Sequence, residues 1–311
     1  MSSENLAGRT VAGYRLLERV GEGGTATVYR ARHPERGTAA MKILRERLRN
    51  DPTAVKRFLR EAGYGSRVQH RAVARTYDFG EEDGLHYLAV EWANGEPLSY
   101  YAERRGQLSP GLVAHIVSEL AQGLAATHEV GIIHRDLKPE NIMFDPESRA
   151  VKLLDFGIAR DAQLDASERL TRTGFFVGTL NYVAPEALSG ELVGEAADIY
   201  SLATIAYYLL TGRHPYRGRS PRELFQQLLT KPPTPLNEAG EGLRFSAALE
   251  SAVMRGLERE PTRRHASVER FADDLRQAVE QGVTASEVAE LGPKRADSVM
   301  GTLKRWLGAK R

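Results

Sequence analysis

Cysteine is absent from the 311 residues of this chain. Disulfide bonds, thiolate nucleophiles and cysteine-based zinc sites are therefore excluded, and a reducing compartment is compatible with the composition. The N-terminal residues lack a basic segment followed by an apolar one, so we predict no signal peptide. No apolar run approaches the roughly 18 residues that characterise a membrane-spanning helix. These absences favour a cytoplasmic protein.

An excess of charge of one sign is also lacking. The chain has 43 lysine and arginine residues and 41 aspartate and glutamate residues, which leaves a net charge of +2. This near balance argues against a dedicated nucleic-acid-binding protein, and we expect no nucleic-acid partner. The hydrophobic content of 41% over this length is enough for a sizeable core, and it indicates two domains or one two-lobed domain.

The first part of the chain is rich in β-like patterns. A single helical pattern interrupts them, with Asp51 as its predicted N-cap and Pro52 in its first turn. The strand-like runs lie at 14–20, 26–33, 38–44 and 85–92. A small β-rich lobe with one helix is therefore predicted.

The rest of the chain up to about residue 280 is mostly helical. One helix begins at Pro110, another at 196–212 is apolar nearly all round and is predicted to be buried, and a third ends at Gly282. A short break, "ANGEP", separates this region from the strands. The predicted fold class is α+β, with a cleft between two lobes where ligands tend to bind.

A glycine-rich stretch, "VGEGGTATVY", lies between the first two strand-like runs. Its Gly21, Gly23 and Gly24 would let backbone amides approach a phosphate chain without interference from Cβ atoms. A flexible hairpin turn explains the same stretch equally well. The P-loop pattern is absent, and a dinucleotide fingerprint is disfavoured because a strand follows the glycines.

Lys42 interrupts an otherwise apolar strand, "AAMKIL". Such a lysine must either reach solvent or find an anion. Glu61, in the middle of the following helix, could supply the anion. Each residue taken alone is better explained as an ordinary surface charge, and only the rest of the pattern favours a pair.

Three further motifs are "HRDLKPEN" at 134–141, "DFG" at 155–157 and "APE" at 184–186. With the glycine-rich stretch and "AMK", in this order, they make the chain resemble a protein kinase. The lysine of "DLKPEN" is similar to the Ser/Thr-specific branch, and the layout resembles the eukaryotic-like kinases of bacteria. The resemblance covers roughly residues 14 to 280.

The resemblance implies a two-lobed protein kinase fold at 14–282, with an N-lobe at 14–93 and a C-lobe at 94–282. An N-terminal extension at 1–13 and a basic amphipathic tail at 283–311 lie outside this domain. The tail could pack on the large lobe, dock a partner or lie on a membrane surface as a peripheral contact.

The activity that the resemblance implies is transfer of the γ-phosphoryl group of ATP to Ser/Thr hydroxyls, with Mg²⁺, or Mn²⁺ as a substitute. Lys42 would hold the α- and β-phosphates and be oriented by Glu61. Asp136 would accept the proton of the substrate hydroxyl or orient that hydroxyl, and Lys138 would neutralise the γ-phosphate. The residues implied as metal ligands, which offer hard oxygen atoms, are Asn141 and Asp155.

The resemblance also implies an adenine pocket beside the glycine-rich stretch. The segment "EWA" would be the hinge, with the Glu91 carbonyl and the Ala93 amide paired with the base edge. Apolar strand residues are more often plain core, so a structural reading competes with this one. The residues implied to bind nucleotide are Val20, Gly21, Gly23, Gly24, Val28, Ala40, Lys42, Glu91, Ala93 and Met143.

Supporting contacts are implied around the catalytic loop. Glu186 would form a buried ion pair with Arg264, with Arg263 as the less favoured partner. Asp198, a charge on a buried helix, would brace the backbone of "HRD". Thr179 would hydrogen-bond the catalytic aspartate and lysine.

Two features predict regulation. Thr171 and Thr173 lie in a long polar loop with arginines nearby, and we predict that one or both are autophosphorylated, against the alternative of two unmodified threonines. Gly63 and Gly65 interrupt the helix that carries Glu61, which predicts a weakly held helix and an inactive resting state.

Two other functions stay open at this point. A pseudokinase would use the same fold to bind nucleotide or partners without transfer, and a small-molecule kinase would share part of the fold. Lys42, Asp136 and Asp155 are all present, which disfavours the first, and the "APE" segment disfavours the second. The expected partners are protein substrates and ATP, with self-association for trans-autophosphorylation as a further hypothesis.

Overall fold

The computed structural model describes residues 5–155, 180–189 and 193–290, with side chains as far as residue 282 in the last helix. The predictions that concern Thr171, Thr173 and Thr179 lie outside the described residues. So do those that concern 291–311 of the tail.

The small lobe is built on one six-stranded antiparallel sheet. Its strands are β1 (Thr10–Val11), β2 (Tyr14–Glu22), β3 (Ala26–His33), β4 (Gly37–Leu44), β5 (Thr76–Glu82) and β6 (Leu85–Glu91), in the spatial order β1-β2-β3-β4-β6-β5. Along β4, the buried residues Ala39, Met41 and Ile43 alternate with the half-buried Ala40 and Lys42. Alternate residues of a strand point to opposite faces, so this lobe has one core face and one face that carries Lys42.

The residues before position 14 pack against this sheet. Leu6 and Val11 are only 2% and 1% exposed, and β1 pairs with β2. The amide of Leu6 also donates to the hydroxyl of Tyr29 at 3.2 Å. Part of the predicted N-terminal extension therefore belongs to the apolar core of the small lobe.

Two helices connect β4 to β5: α1 (Glu46–Arg49) and α2 (Pro52–Gly65). As predicted, Asp51 caps α2, because its side chain accepts from the amides of Thr53 and Ala54. Phe58 and Ala62 lie on the buried face of α2, in a cluster with residues of β4 and β6. This helix places Glu61 beside the sheet face that carries Lys42.

The large lobe is helical. Within the described residues its helices are α3 (Leu98–Arg105), α4 (Pro110–Glu129), α5 (Pro185–Ser189), α6 (Ala196–Thr211), α7 (Pro221–Thr230), α8 (Ala247–Gly256) and α9 (Val268–Glu290). Nearly every residue of α6 is buried, as the apolar pattern predicted. Its Ser201, Thr204 and Thr211 hydroxyls donate to carbonyls one turn earlier, which satisfies them inside the core.

The predicted end of the last helix at Gly282 is wrong, because α9 continues to Glu290. A glycine inside a helix costs about 1 kcal/mol relative to alanine but does not break the helix. The residues from Val283 to Glu290 contain no proline that would stop it.

A small second sheet lies where the two lobes meet. It contains β7 (Glu96–Pro97), β8 (Ile142–Phe144) and β9 (Val151–Leu153), in the order β7-β8-β9. The β8–β9 pair follows the "HRDLKPEN" segment directly and leads into "DFG", so it brings these motifs together. Among the described helices, none has the length and apolar character that a membrane crossing requires.

Candidate active site

The loop that carries "HRDLKPEN", called the catalytic loop below, is held by Asp198, which is fully buried in α6. Its two carboxylate oxygens accept from the backbone amides of His134 at 2.9 Å and Arg135 at 3.0 Å. Arg135 has φ +62°, a left-handed conformation that is uncommon for a residue with a side chain. The bonds to Asp198 hold this backbone turn in place, and Asp198 thus has the bracing position that the sequence analysis expected.

His128, near the end of α4, is a third donor to Asp198. Its Nε2 lies 2.8 Å from Asp198 Oδ2. Burial lowers the pKa of His128, but the hydrogen bond and charge of Asp198, together with Glu195, outweigh burial and raise it overall. Sequence reasoning missed His128, although a histidine on a largely apolar helix six residues before "HRD" was a usable signal.

Asp136 is held by two neighbours on the same loop. Lys138 Nζ lies 2.9 Å from Asp136 Oδ2, and Asn141 Nδ2 lies 3.0 Å from the same oxygen and 2.9 Å from the Asp136 carbonyl. Because the Asn141 amide nitrogen is committed to Asp136, its oxygen is the atom left to bind a cation. The loop thus presents a carboxylate, an ammonium group and an amide oxygen side by side.

Asp155 lies next to this group because of strand pairing. Ile142 of β8 is opposite Leu153 of β9, and the Leu154 amide donates to the Asn141 carbonyl at 2.9 Å. Asn141 and Asp155 therefore flank the same end of the β8–β9 pair. An amide oxygen and a carboxylate therefore come from the same end of this pair, and both are oxygen ligands that suit magnesium.

Lys42 forms an ion pair with Asp155 across the cleft. Among the described residues, no ion pair within 4.0 Å joins Lys42 to Glu61, which was its expected partner. Burial lowers the pKa of Lys42, and the charge of Glu61 opposes this shift. Burial likewise raises the pKa of Glu61, against the charge of Lys42. The two groups are close enough to influence each other but are not in contact.

The glycine-rich stretch is the turn between β2 and β3, as predicted. Gly23 donates from its amide to the Ala26 carbonyl at 2.8 Å, which closes the turn. A Cβ atom added to Gly21 or Gly24 would meet no atom within 4 Å. Neither glycine has a positive φ, so the backbone conformation does not require glycine at these positions. The observed feature of both positions is the open space beside the backbone.

Strand register places four of the predicted nucleotide-binding residues on one face of the sheet, namely Gly21, Val28, Ala40 and Lys42. Val28 of β3 is directly opposite Lys42, and Gly21 is opposite Val28. Ala40 is two residues from Lys42 along β4 and therefore shares its face. Val20 is 46% exposed, which is unusual for a valine in this sheet.

The hinge is tied to the large lobe through the Glu91 side chain. Its carboxylate accepts from Lys152 Nζ at 2.6 Å and from the Arg75 amide at 3.2 Å. Met143, in the middle of β8, is half-buried, whereas its neighbours Ile142 and Phe144 are fully buried. Lys152 is directly opposite Met143 in the β8–β9 pair, so the Glu91–Lys152 contact brings the hinge close to β8.

A buried ion pair anchors "APE". Arg264 Nη1 and Nη2 bind the two oxygens of Glu186 at 2.6 and 2.8 Å. The Arg264 guanidinium also donates to the carbonyls of Glu258 and Ala196, both at 2.7 Å, and lies over the Tyr200 ring. Arg264 is the partner that the sequence analysis favoured. Arg263, the less favoured partner, is exposed.

The residues present fit the cofactors that the fold implies. Among the described residues, no three His, Cys, Asp or Glu side chains are grouped closely enough to hold a metal alone. Mg²⁺ usually uses one or two carboxylates, with phosphate oxygens and water for the rest. Asn141 and Asp155, which offer an amide oxygen and a carboxylate, match that use of a nucleotide-bound metal.

These two lobes, with a lysine and an acidic loop facing each other across a cleft, define the chain as a protein kinase by class. A family model described as "Protein kinase domain" matches residues 14–274. The chain belongs to the protein kinase family.

Curated relatives include serine/threonine kinases of bacteria, in line with the resemblance noted from the motifs. Serine/threonine-protein kinase pkn3 of Myxococcus xanthus is 36% identical over 310 residues, which cover 97% of this chain and 56% of that protein. PknB of Mycobacterium tuberculosis is 36% identical over 267 residues, which cover 84% of this chain and 42% of that protein. The chain spans about half the length of these relatives.

Solved structures show the same fold. The kinase domain of Mycobacterium tuberculosis PknI has a TM-score of 0.68 at 29% identity, and the match covers 88% of this chain and 98% of that one. Rad53 in complex with AMP-PNP has a TM-score of 0.68 at 26% identity, over 84% of this chain and 64% of that one. The two-lobed α+β fold predicted from the sequence is confirmed.

Proposed function

We propose that this chain transfers the γ-phosphoryl group of ATP to serine or threonine hydroxyls of protein substrates. The observation that carries the proposal is the arrangement of Asp136, with Lys138 and Asn141 bound to it, opposite the Lys42–Asp155 pair. Phosphoryl transfer needs positioning and charge neutralisation more than covalent chemistry. The bonds of Asp136 to Lys138 and Asn141 support the positioning of substrate, and the charges of Lys42 and Lys138 support the charge neutralisation.

Each group has a distinct part. Asp136 orients the substrate hydroxyl and accepts its proton, and Lys138 balances negative charge on the transferred group. Lys42 binds the α- and β-phosphates once it exchanges its bond with Asp155 for them. Bound Mg²⁺ would be held by Asn141 and Asp155 and would neutralise phosphate charge.

The adenine base is assigned to the hinge and to the faces beside it. The Glu91 carbonyl and the Ala93 amide are the proposed partners of the base edge, because the Glu91 side chain is already occupied by Lys152. Val20, Val28, Ala40 and Met143 are the proposed apolar lining. The amides around Gly24 would cover the phosphates.

The test is transfer of radiolabelled phosphate from ATP–Mg²⁺ to the chain itself and to a generic basic protein. Asp136→Asn should reduce transfer by at least about a hundredfold, since a positioned proton acceptor contributes roughly 10²–10⁴ in rate. Asp83→Asn is the matched control: Asp83 lies in a hairpin with φ +50°, which asparagine tolerates, so transfer should stay unchanged. Equal activity of wild type and Asp136→Asn would refute the proposal and favour a nucleotide-binding scaffold.

Activation is proposed to follow autophosphorylation of Thr171 or Thr173, in trans between two copies of the chain. Mass spectrometry of the purified active protein should find phosphate on at least one of the two. Active protein without phosphate on both would contradict this part while leaving the transfer activity intact. A cytoplasmic location and docking of the tail to a partner or membrane surface stay predictions.

A further inference from the structure

Two arginines from the segment after β4 hold the glycine-rich turn by its carbonyl oxygens. Arg45 Nη1 lies 3.3 Å from the Gly23 carbonyl, and Arg47 Nη2 lies 2.8 Å from the Gly24 carbonyl. A second nitrogen of Arg45 binds the Glu22 carboxylate at 2.6 Å. Three consecutive residues of the turn are therefore each bound by one of these two side chains.

Strand register explains why the two arginines are at this place. Ala26 of β3 is directly opposite Leu44, the last residue of β4. The next residue continues the ladder, since the Arg45 amide donates to the Thr25 carbonyl at 2.9 Å. The chain therefore runs alongside the turn as far as Arg45, and α1, which begins at the next residue, places Arg47 beside the turn as well.

Glu22 fixes the position of Arg45. The carboxylate of Glu22 binds both Arg45 and Arg19, and it is only 21% exposed. Arg45 itself is 29% exposed, so neither partner is free in solvent. A guanidinium group offers several donors in a rigid fork, which lets Arg45 bind Glu22 and the Gly23 carbonyl at the same time.

The carbonyls that the arginines bind determine where the adjacent amides point. The Gly23 carbonyl and the Gly24 N–H belong to one peptide unit, and the Gly24 carbonyl and the Thr25 N–H belong to the next. The described residues contain no cis peptide bond. In a planar trans peptide the C=O and N–H point in opposite directions, so both amides must face away from the arginines.

These two amides are the donors that the proposed function assigns to the phosphates. Within the described part of the chain, neither donates a hydrogen bond to a protein acceptor. The space beside Gly24 is also open, because an added Cβ atom there would meet nothing within 4 Å. The turn thus has its carbonyls held on one side and its donors available on the other.

We propose that Arg45 and Arg47 are positioning residues that orient the Gly24 and Thr25 amides for the phosphate chain of the nucleotide. The inference rests on the proposed function, since it concerns the same nucleotide. It adds two residues outside the kinase motifs that set affinity for the phosphates while leaving the adenine contacts unchanged. The arginines act through the backbone and touch no reacting atom.

The experiment compares two ligands in the whole 311-residue chain: AMP-PNP with Mg²⁺, and adenosine, which lacks phosphates. The double variant Arg45→Ala/Arg47→Ala should weaken AMP-PNP binding about tenfold, as expected for loss of charge-assisted hydrogen bonds, and change adenosine binding less than about twofold. In steady-state kinetics, KM for ATP should rise more than kcat falls. Arg45→Lys/Arg47→Lys, which keeps a charged donor group at each position but loses the planar fork, should recover part of the affinity.

Arg49→Ala is the matched control, because Arg49 also lies in α1 but donates to the Leu44 carbonyl at 3.2 Å. It should leave both affinities unchanged. Unchanged or tighter AMP-PNP binding in the double alanine variant overturns the inference, as does an equal loss for AMP-PNP and adenosine. If wild type binds AMP-PNP but transfers no phosphate, the proposed function fails separately, and the ligand comparison still decides the role of the arginines.

Discussion

At the scale of single residues, the buried carboxylate of Asp198 has several hydrogen-bond partners. Asp198 is fully buried and accepts from two backbone amides and from the His128 ring. Burial of a carboxylate is costly unless hydrogen bonds compensate for it. The bond to the Arg135 amide also holds Arg135 in its left-handed conformation. The hydrogen bonds that compensate for burial of the Asp198 carboxylate therefore also fix the backbone of the catalytic loop.

The His128–Asp198 contact predicts a pH dependence of stability. The pKa of His128 in the folded chain is raised above its ordinary value of 6.5. Its stabilising contribution is therefore fully present below about pH 6.5 and is lost as the pH rises through the higher folded pKa. Denaturant unfolding of wild type and His128→Asn should show a stability difference that is larger at pH 6 than at pH 9. A difference that grows with pH would contradict this assignment.

The Glu186–Arg264 pair predicts a large stability effect. Arg264→Ala would leave the Glu186 carboxylate buried without its main partner, at a cost of about 3–5 kcal/mol in the free energy of unfolding. The neighbouring Arg263 is exposed, and Arg263→Ala should change stability by less than about 0.5 kcal/mol. Similar effects of the two substitutions in urea unfolding would show that the ion pair is unimportant.

At the scale of elements, helices and strands with a strong apolar pattern were predictable from the sequence, and a strand made mostly of polar residues was not. The pattern of α6 is apolar nearly all round, and the helix is indeed buried from Ala197 onward. Strand β5, by contrast, has no fully buried residue and lies at the edge of the sheet, so its pattern was not recognised. Elements whose burial depends on neighbours distant in sequence cannot be identified from local periodicity.

In the candidate site, too, some contacts were predictable from the sequence and others were not. Motif order was enough to bring Asp136, Asn141 and Asp155 together, because strand pairing follows from short local segments. The partner of Lys42 was not decided by sequence, since Glu61 and Asp155 both offer a carboxylate and only the position of α2 selects between them. The contacts of Arg45 and Arg47 with backbone carbonyls have no motif, and they depend on the exact register of β3 and β4.

Helix α2 is predicted to be stabilised by alanine. Gly63 lies inside the helix, and an added Cβ atom would meet nothing within 4 Å. Gly63→Ala should therefore raise the free energy of unfolding by about 0.5–1 kcal/mol. If a weakly held α2 keeps the chain inactive at rest, basal transfer should also rise. Gly84→Ala is the matched control and should destabilise, because Gly84 has φ +75°.

At the scale of the whole molecule, the segment after α2 ties the small lobe to α4. Arg71 binds Glu119 at 2.6 Å, and Arg67 donates to the Val130 carbonyl at 2.7 Å. The amide hydrogen bonds between Ala72, Ala74 and Leu153 continue this contact into β9. The C-terminal end of α2 is thus fixed to the large lobe, while its Glu61 side is not bound to Lys42.

The central claim is that the cleft carries out phosphoryl transfer and does more than bind nucleotide. The most direct measurement is of AMP-PNP affinity and of the transfer rate in the same Asp136→Asn protein, beside wild type. We expect affinity within about twofold of wild type and transfer reduced at least about a hundredfold, because Asp136 acts on the substrate hydroxyl. Wild-type binding with equally slow transfer in both proteins would contradict the account and would identify the chain as a binding module.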